Sequence, residues 1–475
     1  MKRRDLLKLL GLASGSSIAG QLTGCGGGGS GGGAGPVTPS SPPPVEPVSK
    51  PNLVVLLADD QRYDSLGANG NKLVSTPNLD ELANQGTNFP NAFVTTSICP
   101  VSRVSILTGQ HMRRHGIQGF DTQIDSAAFG RSFPAVLRDA GWRTGFLGKW
   151  GIGEDLPTQY FDEFDGFAGQ GSYFPDGEEG EHLTASIGES AGAFIEKHQA
   201  SPFLLSVSFK APHAEGSGNA LFLPDPRYSD LYAAEDIPIP LTATEEDFDE
   251  LPEFIRSSEG RNRWMQRFAT DAEFQENVKD YYRLITGMDA VVGEIVEKLH
   301  QLNLYDNTII LFTSDNGFFL GERGLAGKWL MYEESIRVPM IIKPLASEAQ
   351  NTHPIVDRMA LNIDIAPTIL DMLGAERPEA MQGRSLWPLM RDPRLAWRDD
   401  WYYEYRYDFD GRIPHCEGVR TESWKYVNYP DHDYRELYDL VNDPWEMHNL
   451  VQDDSHGGVV DELAARLDAL SQQAG

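Results

Sequence analysis

The chain has 475 residues, which allows roughly two to four domains. Hydrophobic residues make up 40% of it and aromatic residues 10%, a composition that excludes a disordered chain. Its 70 acidic residues outnumber its 40 Lys and Arg residues, and the net charge of −30 at pH 7 excludes a general nucleic-acid or anionic-membrane surface. The three cysteines, Cys25, Cys99 and Cys416, are too few for a disulfide framework.

The first residues have the features of an export signal. Arg3 and Arg4 resemble a twin-arginine signal, and the sequence Leu22-Thr23-Gly24-Cys25 resembles a bacterial lipoprotein cleavage box. We therefore predict that residues 1–24 are removed, that Cys25 carries a lipid, and that the protein is anchored in the cell envelope, in the periplasm or at the cell surface. No later apolar run reaches the ~18 residues of a membrane-spanning helix.

The segment that follows has no apolar periodicity. Residues 25–50 comprise the lipidated cysteine, a Gly/Ser-rich stretch and then a Pro-rich stretch. Glycine gives flexibility and proline gives extension, so this segment is predicted to be a tether with a reach on the order of 50 Å.

Two fully apolar runs predict strands that are buried on both faces. They cover residues 53–58 and 308–313. Between them, apolar residues recur at spacings of three and four over residues 277–303, which predicts a long amphipathic helix. This alternation predicts an α/β fold with a large mixed, mostly parallel sheet flanked by helices. The ligand crevice of such a fold lies beyond the carboxyl ends of the strands.

Acidic and amide side chains directly follow both predicted strands. Asp59 and Asp60 follow the first, and Asp315 and Asn316 follow the second. Three carboxylates and an amide suit a hard cation such as Ca²⁺, whereas the missing His/Cys set argues against zinc. Either pair alone is more often a turn or a helix cap, so the prediction of a metal site needs a third element.

The segment from Thr96 to Gly109 supplies that element. Pro100 favours the first turn of a helix, which places Cys99 at the positive N-terminal end, where anions are stabilised. Arg103 is four residues further on, on the same helical face, and is predicted to hold a charged group at Cys99. A buried structural cysteine is the alternative.

This segment resembles the signature of the type I sulfatases of the alkaline phosphatase superfamily, in which the cysteine is oxidised to formylglycine. The resemblance covers most of residues 51–450 and implies a sulfatase catalytic domain over residues 51–374. Further landmarks occur in the family's order: Ala58-Asp59-Asp60, Gly148-Lys149-Trp150, Lys210-Ala211-Pro212-His213, Ser314-Asp315-Asn316-Gly317, Gly327-Lys328, Asp364-Ile365-Ala366-Pro367-Thr368, Glu436-Leu437-Tyr438-Asp439-Leu440 and Asn442-Asp443-Pro444.

The resemblance implies a metal site and a catalytic set. The implied Ca²⁺ ligands are Asp59, Asp60, Asp315, Asn316 and the oxygen of modified Cys99. The implied catalytic residues are Cys99, Arg103, Lys149, His213 and Lys328. In the family's mechanism a hydroxyl of hydrated formylglycine attacks sulfur, and the metal and Arg103 favour its ionised form.

The same mechanism gives the remaining side chains their roles. The metal, Lys149 and Lys328 offset charge on the sulfuryl oxygens, and His213 and Lys328 can protonate the leaving oxygen. The second hydroxyl then expels sulfate and restores the aldehyde. The resemblance also implies a formylglycine-generating enzyme as a partner.

Three positions depart from the family's pattern. Val101 stands where the family has Pro or Ala, which bears on recognition by the formylglycine-generating enzyme. Gly151 stands where the family has a His that helps to release sulfate, and we expect Gly151→His to speed release if the side chain fits. His111 and His115 are candidate replacements, although a surface histidine is the ordinary interpretation of each. No proline follows His213.

The last part of the chain, residues 375–475, has aromatic and partly alternating runs that predict antiparallel strands, and residues 459–470 predict a closing helix. This is a smaller α+β subdomain built on an antiparallel sheet. In sulfatases it contributes to substrate choice. Arg412, His415 and Arg420 are candidates for holding sugar hydroxyls or a neighbouring anionic group, with solvated surface charge as the alternative.

We therefore expect an exported, lipid-anchored, calcium-dependent formylglycine sulfatase that acts on sulfated carbohydrates. One alternative is a phosphonate or phosphate ester hydrolase of the same superfamily, which shares the metal and the nucleophile. The other is a non-catalytic lipoprotein that binds sulfated glycans, to which only Val101 and Gly151 give weight. Fold does not fix the sugar or the ring position. The sequence makes no prediction of the oligomeric state.

Overall fold

The structure, a computed structural model, describes residues 50–177, 180–215 and 222–475. The predicted signal of residues 1–24, the lipidated Cys25 and all of the tether except Lys50 lie outside the described residues. Within those residues, no helix combines the length and the apolar character needed to cross a bilayer.

The strands of the described residues form a large sheet, a four-stranded sheet and two small ones. In chain order they are β1 (Asn52–Asp59), β2 (Thr87–Asn88), β3 (Ala92–Phe93), β4 (Arg143–Lys149), β5 (Glu163–Phe167), β6 (Phe203–Pro212), β7 (Thr308–Ser314), β8 (Phe319–Leu320), β9 (Ala326–Gly327), β10 (Arg337–Val338), β11 (Met340–Lys343), β12 (Ala360–Leu361), β13 (Asp400–Tyr405), β14 (Cys416–Thr421), β15 (Trp424–Tyr429) and β16 (Tyr434–Asp439).

The helices cover the large sheet and one face of the four-stranded sheet. In chain order they are α1 (Pro77–Gln85), α2 (Cys99–Thr108), α3 (Met112–His115), α4 (Ser126–Phe129), α5 (Phe133–Asp139), α6 (Leu183–His198), α7 (Glu245–Asp249), α8 (Glu253–Arg256), α9 (Glu259–Arg267), α10 (Asp271–Gln301), α11 (Glu333–Ile336), α12 (Ala346–Ala349), α13 (Ile365–Met372), α14 (Trp387–Arg391) and α15 (Gly457–Ala474).

The large sheet has the strand order β2-β11-β7-β1-β6-β4-β5, and the five strands from β7 to β5 are parallel. Strand β11 pairs antiparallel with β7, and the edge strand β2 pairs antiparallel with β11. Alternate residues of β1 enter two separate cores: Leu53 and Val55 face one, and Val54 and Leu56 face the other. The predicted mixed, mostly parallel sheet with buried central strands is confirmed.

The long helix α10 begins at residue 271 and ends at residue 301, whereas the sequence predicted residues 277–303. Thr270 and Glu273 form a capping box, in which each side chain accepts from the backbone N–H of the other. The apolar spacing starts only after this polar first turn, so the pattern placed the start too late.

The C-terminal strands β13-β14-β15-β16 form an antiparallel sheet in sequential order. Tyr402, Val419 and Leu437 pack with Leu463 and Leu467 of α15 in a third core. The predicted antiparallel sheet and closing helix are confirmed, and β16 is an additional strand that the sequence did not identify.

Candidate active site

Four adjacent parallel strands of the large sheet end at one edge and carry the candidate site. Asp59 is the last residue of β1, and Lys149 is the last residue of β4. Asp315 directly follows β7, and His213 directly follows β6. Because β7, β1, β6 and β4 are neighbours in this order, the four residues reach the same edge of the sheet. The sequence predicted this edge.

Cys99 is the first residue of α2, and its side chain meets the same edge. Ile98 before it is extended and Pro100 lies in the first turn, as predicted. The Sγ atom of Cys99 lies 3.5 Å from Asp59 Oδ1 and 3.0 Å from Lys328 Nζ. All ten residues of α2 are buried, so packing holds the side chain at position 99 between a carboxylate and an ammonium group.

Arg103 joins two of the carboxylates. Its Nη2 donates to Asp59 Oδ2 at 2.8 Å, and its Nε donates to Asp315 Oδ2 at 2.9 Å. Its Nη1 donates to the backbone oxygen of Lys149 at 2.8 Å and to Ser208 Oγ at 2.6 Å. The side-chain hydrogen bonds of Arg103 thus fix the orientation of these two carboxylates, and its predicted role in holding a charged group at Cys99 stays a prediction.

Two buried lysines complete the charge balance of the site. Lys149 Nζ lies 2.5 Å from Asp59 Oδ2 and donates to Gln170 Oε1 at 2.7 Å. Lys328 Nζ is paired with Asp60 Oδ1. Gln170 is a site residue that the sequence did not identify, because it lies in a loop without a recognisable motif.

His213 is held in one tautomer. Its Nδ1 lies 2.6 Å from the backbone oxygen of Ala214, which can only accept, so Nδ1 carries the hydrogen and Nε2 keeps a lone pair. Nε2 lies 3.6 Å from Asp60 Oδ2. Burial, and then the nearby charge of Lys149, lower the pKa of His213 well below its ordinary value. The ring is therefore a neutral acceptor.

The three carboxylates have different electrostatic environments. Burial alone would raise the pKa of Asp59, but Lys149 and Arg103 hold it well below its usual range. Burial raises the pKa of Asp60, and burial together with the charge of Asp59 raises the pKa of Asp315 to about 6. The cations of the chain thus neutralise Asp59 most completely.

The thiol of Cys99 is kept protonated. Burial raises its pKa, and the negative charges of Asp315 and Asp59 raise it further. Since the thiolate is the nucleophilic form of cysteine, the unmodified side chain is a poor nucleophile in this position.

The oxygen donors of the site fit a hard cation. Asn316 Nδ2 donates to Asp60, whereas Asn316 Oδ1 is buried and has no hydrogen-bond partner. An unpaired buried carbonyl oxygen is costly unless a donor or a cation satisfies it. Together with the raised pKa values of Asp60 and Asp315, it indicates a position that a cation would stabilise.

The fold also brings softer donors to these carboxylates. Asp59, Asp60, Cys99 and His213 each offer a ligand atom, and these atoms lie within 4.8 Å of one another. The sequence argument against zinc was therefore incomplete, because it considered only residues adjacent along the chain. Conversion of Cys99 to an oxygen-bearing side chain would remove the sulfur donor.

A side chain at Gly151 would be strained and crowded. Its φ is +68°, and a Cβ atom there would lie 3.1 Å from Cδ and Nε of Arg103 and 3.4 Å from Cε of Lys149. A histidine at this position would be strained and would press on Arg103. This geometry argues against the condition that a histidine side chain fits at position 151, and the effect of Gly151→His on catalysis stays a prediction.

His111 and His115 lie beyond the C-terminal end of α2, whereas Cys99 is at its N-terminal end. A ten-residue helix is about 15 Å long. His115 Nε2 is 3.2 Å from Ser105 Oγ, and the ring of His111 packs near Tyr402. The prediction that His111 or His115 replaces the base missing at position 151 is therefore wrong.

The C-terminal candidates for substrate contacts are all paired. Arg420 is buried, and its Nε lies 3.3 Å from Glu333 Oε1. Its guanidinium lies over the ring of Phe93, so it packs β14 against β3. Its charge is therefore already compensated inside the protein.

Arg412 and His415 are more accessible. Arg412 Nη1 lies 2.9 Å from Glu259 Oε2, and 43% of its side chain is exposed. His415 Nδ1 lies 2.8 Å from Asp431 Oδ2. A role of either residue in substrate binding stays a prediction.

Comparison with known proteins assigns the family. The sulfatase family model matches residues 51–375, and the model of the C-terminal region of N-sulphoglucosamine sulphohydrolase matches residues 321–473. The chain belongs to the sulfatase family. This confirms the family that the sequence signature indicated.

Relatives cover most of this sulfatase. It is 29% identical to the N-acetylglucosamine-6-O-sulfatase of Bacteroides thetaiotaomicron over 91% of this chain and 88% of that protein. It is 28% identical to an arylsulfatase of Clostridium perfringens over 87% and 93% of the two chains. A solved structure of a protein with its substrate D-glucosamine-2-N,6-O-disulfate has 27% identity and a TM-score of 0.77, over 90% and 98% of the chains. The sulfatase is a sulfuric ester hydrolase, as predicted.

Proposed function

We propose that this sulfatase hydrolyses sulfate esters of carbohydrates, with Cys99 converted to formylglycine and Ca²⁺ bound beside it. The observation that carries this proposal is the position of Cys99, whose Sγ lies 3.5 Å from Asp59 Oδ1 and 3.0 Å from Lys328 Nζ at a helix N-terminus. The protonated thiol is a poor nucleophile there. Formylglycine at this position, once hydrated, would supply a hydroxyl able to attack sulfur.

The cation ligands in this proposal are Asp59, Asp60, Asp315 and Asn316, together with the oxygen of modified Cys99. The unpaired Oδ1 of Asn316 supports this set. Ca²⁺ would neutralise the carboxylates and withdraw charge from a sulfuryl oxygen. Arg103 keeps Asp59 and Asp315 in place for it through two charge-assisted hydrogen bonds.

The remaining side chains of the site supply positive charge and transfer protons. Lys149 and Lys328 place fixed positive charge around the reacting group. Lys328 Nζ carries protons next to the nucleophile position, so we assign it the donation to the leaving ester oxygen. His213 presents the lone pair of Nε2, so we assign it the acceptance of a proton during sulfate release. Gly151 offers no group for that step.

Two observations support an extracytoplasmic carbohydrate substrate. The relative from B. thetaiotaomicron is an N-acetylglucosamine-6-O-sulfatase, and the similar solved structure holds a disulfated glucosamine. The twin-arginine pattern and Cys25 support export and lipid anchoring. We therefore propose sulfated amino sugars in glycans as the substrate class.

The test uses protein in which the mass of the Cys99 peptide shows complete conversion. Turnover of 4-nitrophenyl sulfate, 4-nitrophenyl phosphate and glucosamine 6-O-sulfate is measured with added Ca²⁺, and Cys99→Ala is the control. We expect the sulfate esters to be the better substrates. Preference for the phosphate ester would favour the superfamily alternative, and absence of turnover by fully converted protein would contradict the proposal.

A further inference from the structure

Arg267, the last residue of α9, is a buried cation without an anionic partner among the described residues. The residue is 3% exposed, and within residues 50–177, 180–215 and 222–475 its guanidinium makes no hydrogen bond or ion pair. Its Nε is fully enclosed without an acceptor. Burial lowers the pKa of Arg267 to about 10, which leaves it charged at neutral pH. An uncompensated buried charge is strongly unfavourable for folding.

The segments around Arg267 also carry the active site. Its guanidinium lies 5.8 Å from the ring centroid of Phe318, two residues after Asn316. The ring of Phe222 lies at 5.9 Å. Helix α9 packs against β9, which leads directly to Lys328. Arg267 is therefore next to the active site, with two aromatic rings beside its donors.

The neighbouring arginine on the same helix is different. Arg263, one turn earlier, has its Nε 2.5 Å from Glu259 Oε1 and is compensated within the helix. No carboxylate of the described residues forms such an ion pair with Arg267, although the charge of Asp60 is close enough to act on its pKa. Its Nε is enclosed, and within the described residues no acceptor binds its two Nη groups, which are the donors that an external anion could pair with.

We propose that Arg267 binds a second anionic group, a sulfate or a carboxylate, of the same substrate molecule whose sulfate ester reacts at Cys99. This inference rests on the proposed function and narrows its substrate class to carbohydrates that carry more than one acidic group. A planar guanidinium with free N–H donors matches such oxyanions, and the enclosing rings of Phe222 and Phe318 strengthen the pairing by excluding water.

The test compares D-glucosamine-2-N,6-O-disulfate with D-glucosamine 6-O-sulfate as substrates of fully converted enzyme. In Arg267→Gln, the ratio of their kcat/KM values is expected to fall roughly 10- to 100-fold, mainly through KM for the disulfate. Arg267→Lys keeps the positive charge but loses the planar pair of N–H donors. The kcat/KM ratio of this variant is expected to lie between those of the wild type and Arg267→Gln. The matched control, Arg263→Gln, leaves the ratio unchanged.

Thermal unfolding separates binding from a structural role. Removal of an uncompensated buried charge is expected to leave Tm equal or higher, whereas loss of a structural contact lowers it. An unchanged ratio, an equal loss on both substrates, or a failure of both Arg267 variants to fold would overturn the inference. Absence of wild-type turnover of 4-nitrophenyl sulfate and of both glucosamine sulfates is the separate result that contradicts the proposed function.

Discussion

A Cβ atom at Gly151 would lie 3.1 Å from both Cδ and Nε of Arg103. Arg103 in turn holds Asp59 and Asp315 at 2.8 Å and 2.9 Å. A side chain at position 151 therefore acts on the cation ligands through Arg103. In this sulfatase, the positive φ of residue 151 and its close approach to Arg103 both favour glycine.

Substitution of Gly151 is expected to damage activity. Gly151→Ala should lower stability by about 1 to 2 kcal/mol because of its positive φ, and should also lower kcat/KM by displacing Arg103. Gly151→His should be worse. The control is Gly116→Ala, since Gly116 has a φ of +78° and no atom within 4 Å of a Cβ, so it should lose stability without losing activity. Denaturant unfolding and 4-nitrophenyl sulfate kinetics measure both effects, and faster turnover by Gly151→His would contradict the argument.

Cys99→Ser is expected to reduce turnover by roughly 10³-fold or more, because serine does not provide the hydrated aldehyde. The fold should persist, since serine has a similar volume. Kinetics and circular dichroism test this in a host that does not oxidise serine. Cys416→Ser removes the other buried cysteine of the described residues and should keep its activity if it folds. Normal turnover by Cys99→Ser would refute the formylglycine assignment.

Asp315→Asn is expected to weaken Ca²⁺ binding on the order of 100-fold, because the site loses one of its anionic oxygen ligands. Titration calorimetry measures the affinity, and activity against free Ca²⁺ measures its consequence. Asp289→Asn is the control, because Asp289 is buried but accepts hydrogen bonds from the start of α1, away from the site. Full activity after exhaustive chelation would show that no metal takes part.

His213→Ala is expected to slow sulfate release by roughly 10² to 10⁴-fold. Attack on sulfur should be affected less, so an early burst of alcohol and an intact-mass increase from a covalently sulfated enzyme are expected. His111→Ala and His115→Ala should show neither effect, since both residues lie at the far end of α2. A burst in either control would restore them as candidate bases.

Glu436 is expected to make stability depend on pH. It is buried and accepts from Tyr332 Oη at 3.0 Å and Tyr429 Oη at 3.3 Å. Burial, opposed in part by these hydrogen bonds, raises the pKa of Glu436 from 4.5 to about 7. Because the folded-state pKa is above the unfolded value, the stabilisation is complete below pH 4.5 and is lost as the pH rises through 7.

The predicted size of this effect is about 3 kcal/mol. Glu436→Gln should therefore flatten the fall in unfolding free energy between about pH 4.5 and pH 7, as measured by denaturant titrations. Glu422→Gln, at an exposed position in the turn between β14 and β15, should leave the slope unchanged. An unaltered slope in Glu436→Gln would assign the pH dependence to other groups.

The sequence located the site because its chemistry is attached to regular elements. Asp59 and Asp315 follow apolar runs that must lie side by side in a buried sheet, and Pro100 marks a helix start. The positions of loop residues could not be obtained this way, so Gln170 was missed. Proximity along the chain also misled the choice of His111, because a straight helix separates it from Cys99.

The burial of α2 constrains when the enzyme can be activated. Cys99 has no exposed surface, and neither does its neighbour Val101. If the proposed oxidation occurs, the modifying enzyme must bind this segment before α2 packs against the sheet. Each molecule then acquires its nucleophile during or soon after synthesis. A chain that folds first keeps its thiol and remains inactive. The rate of Cys99 oxidation relative to the rate of folding therefore determines the active fraction of the enzyme.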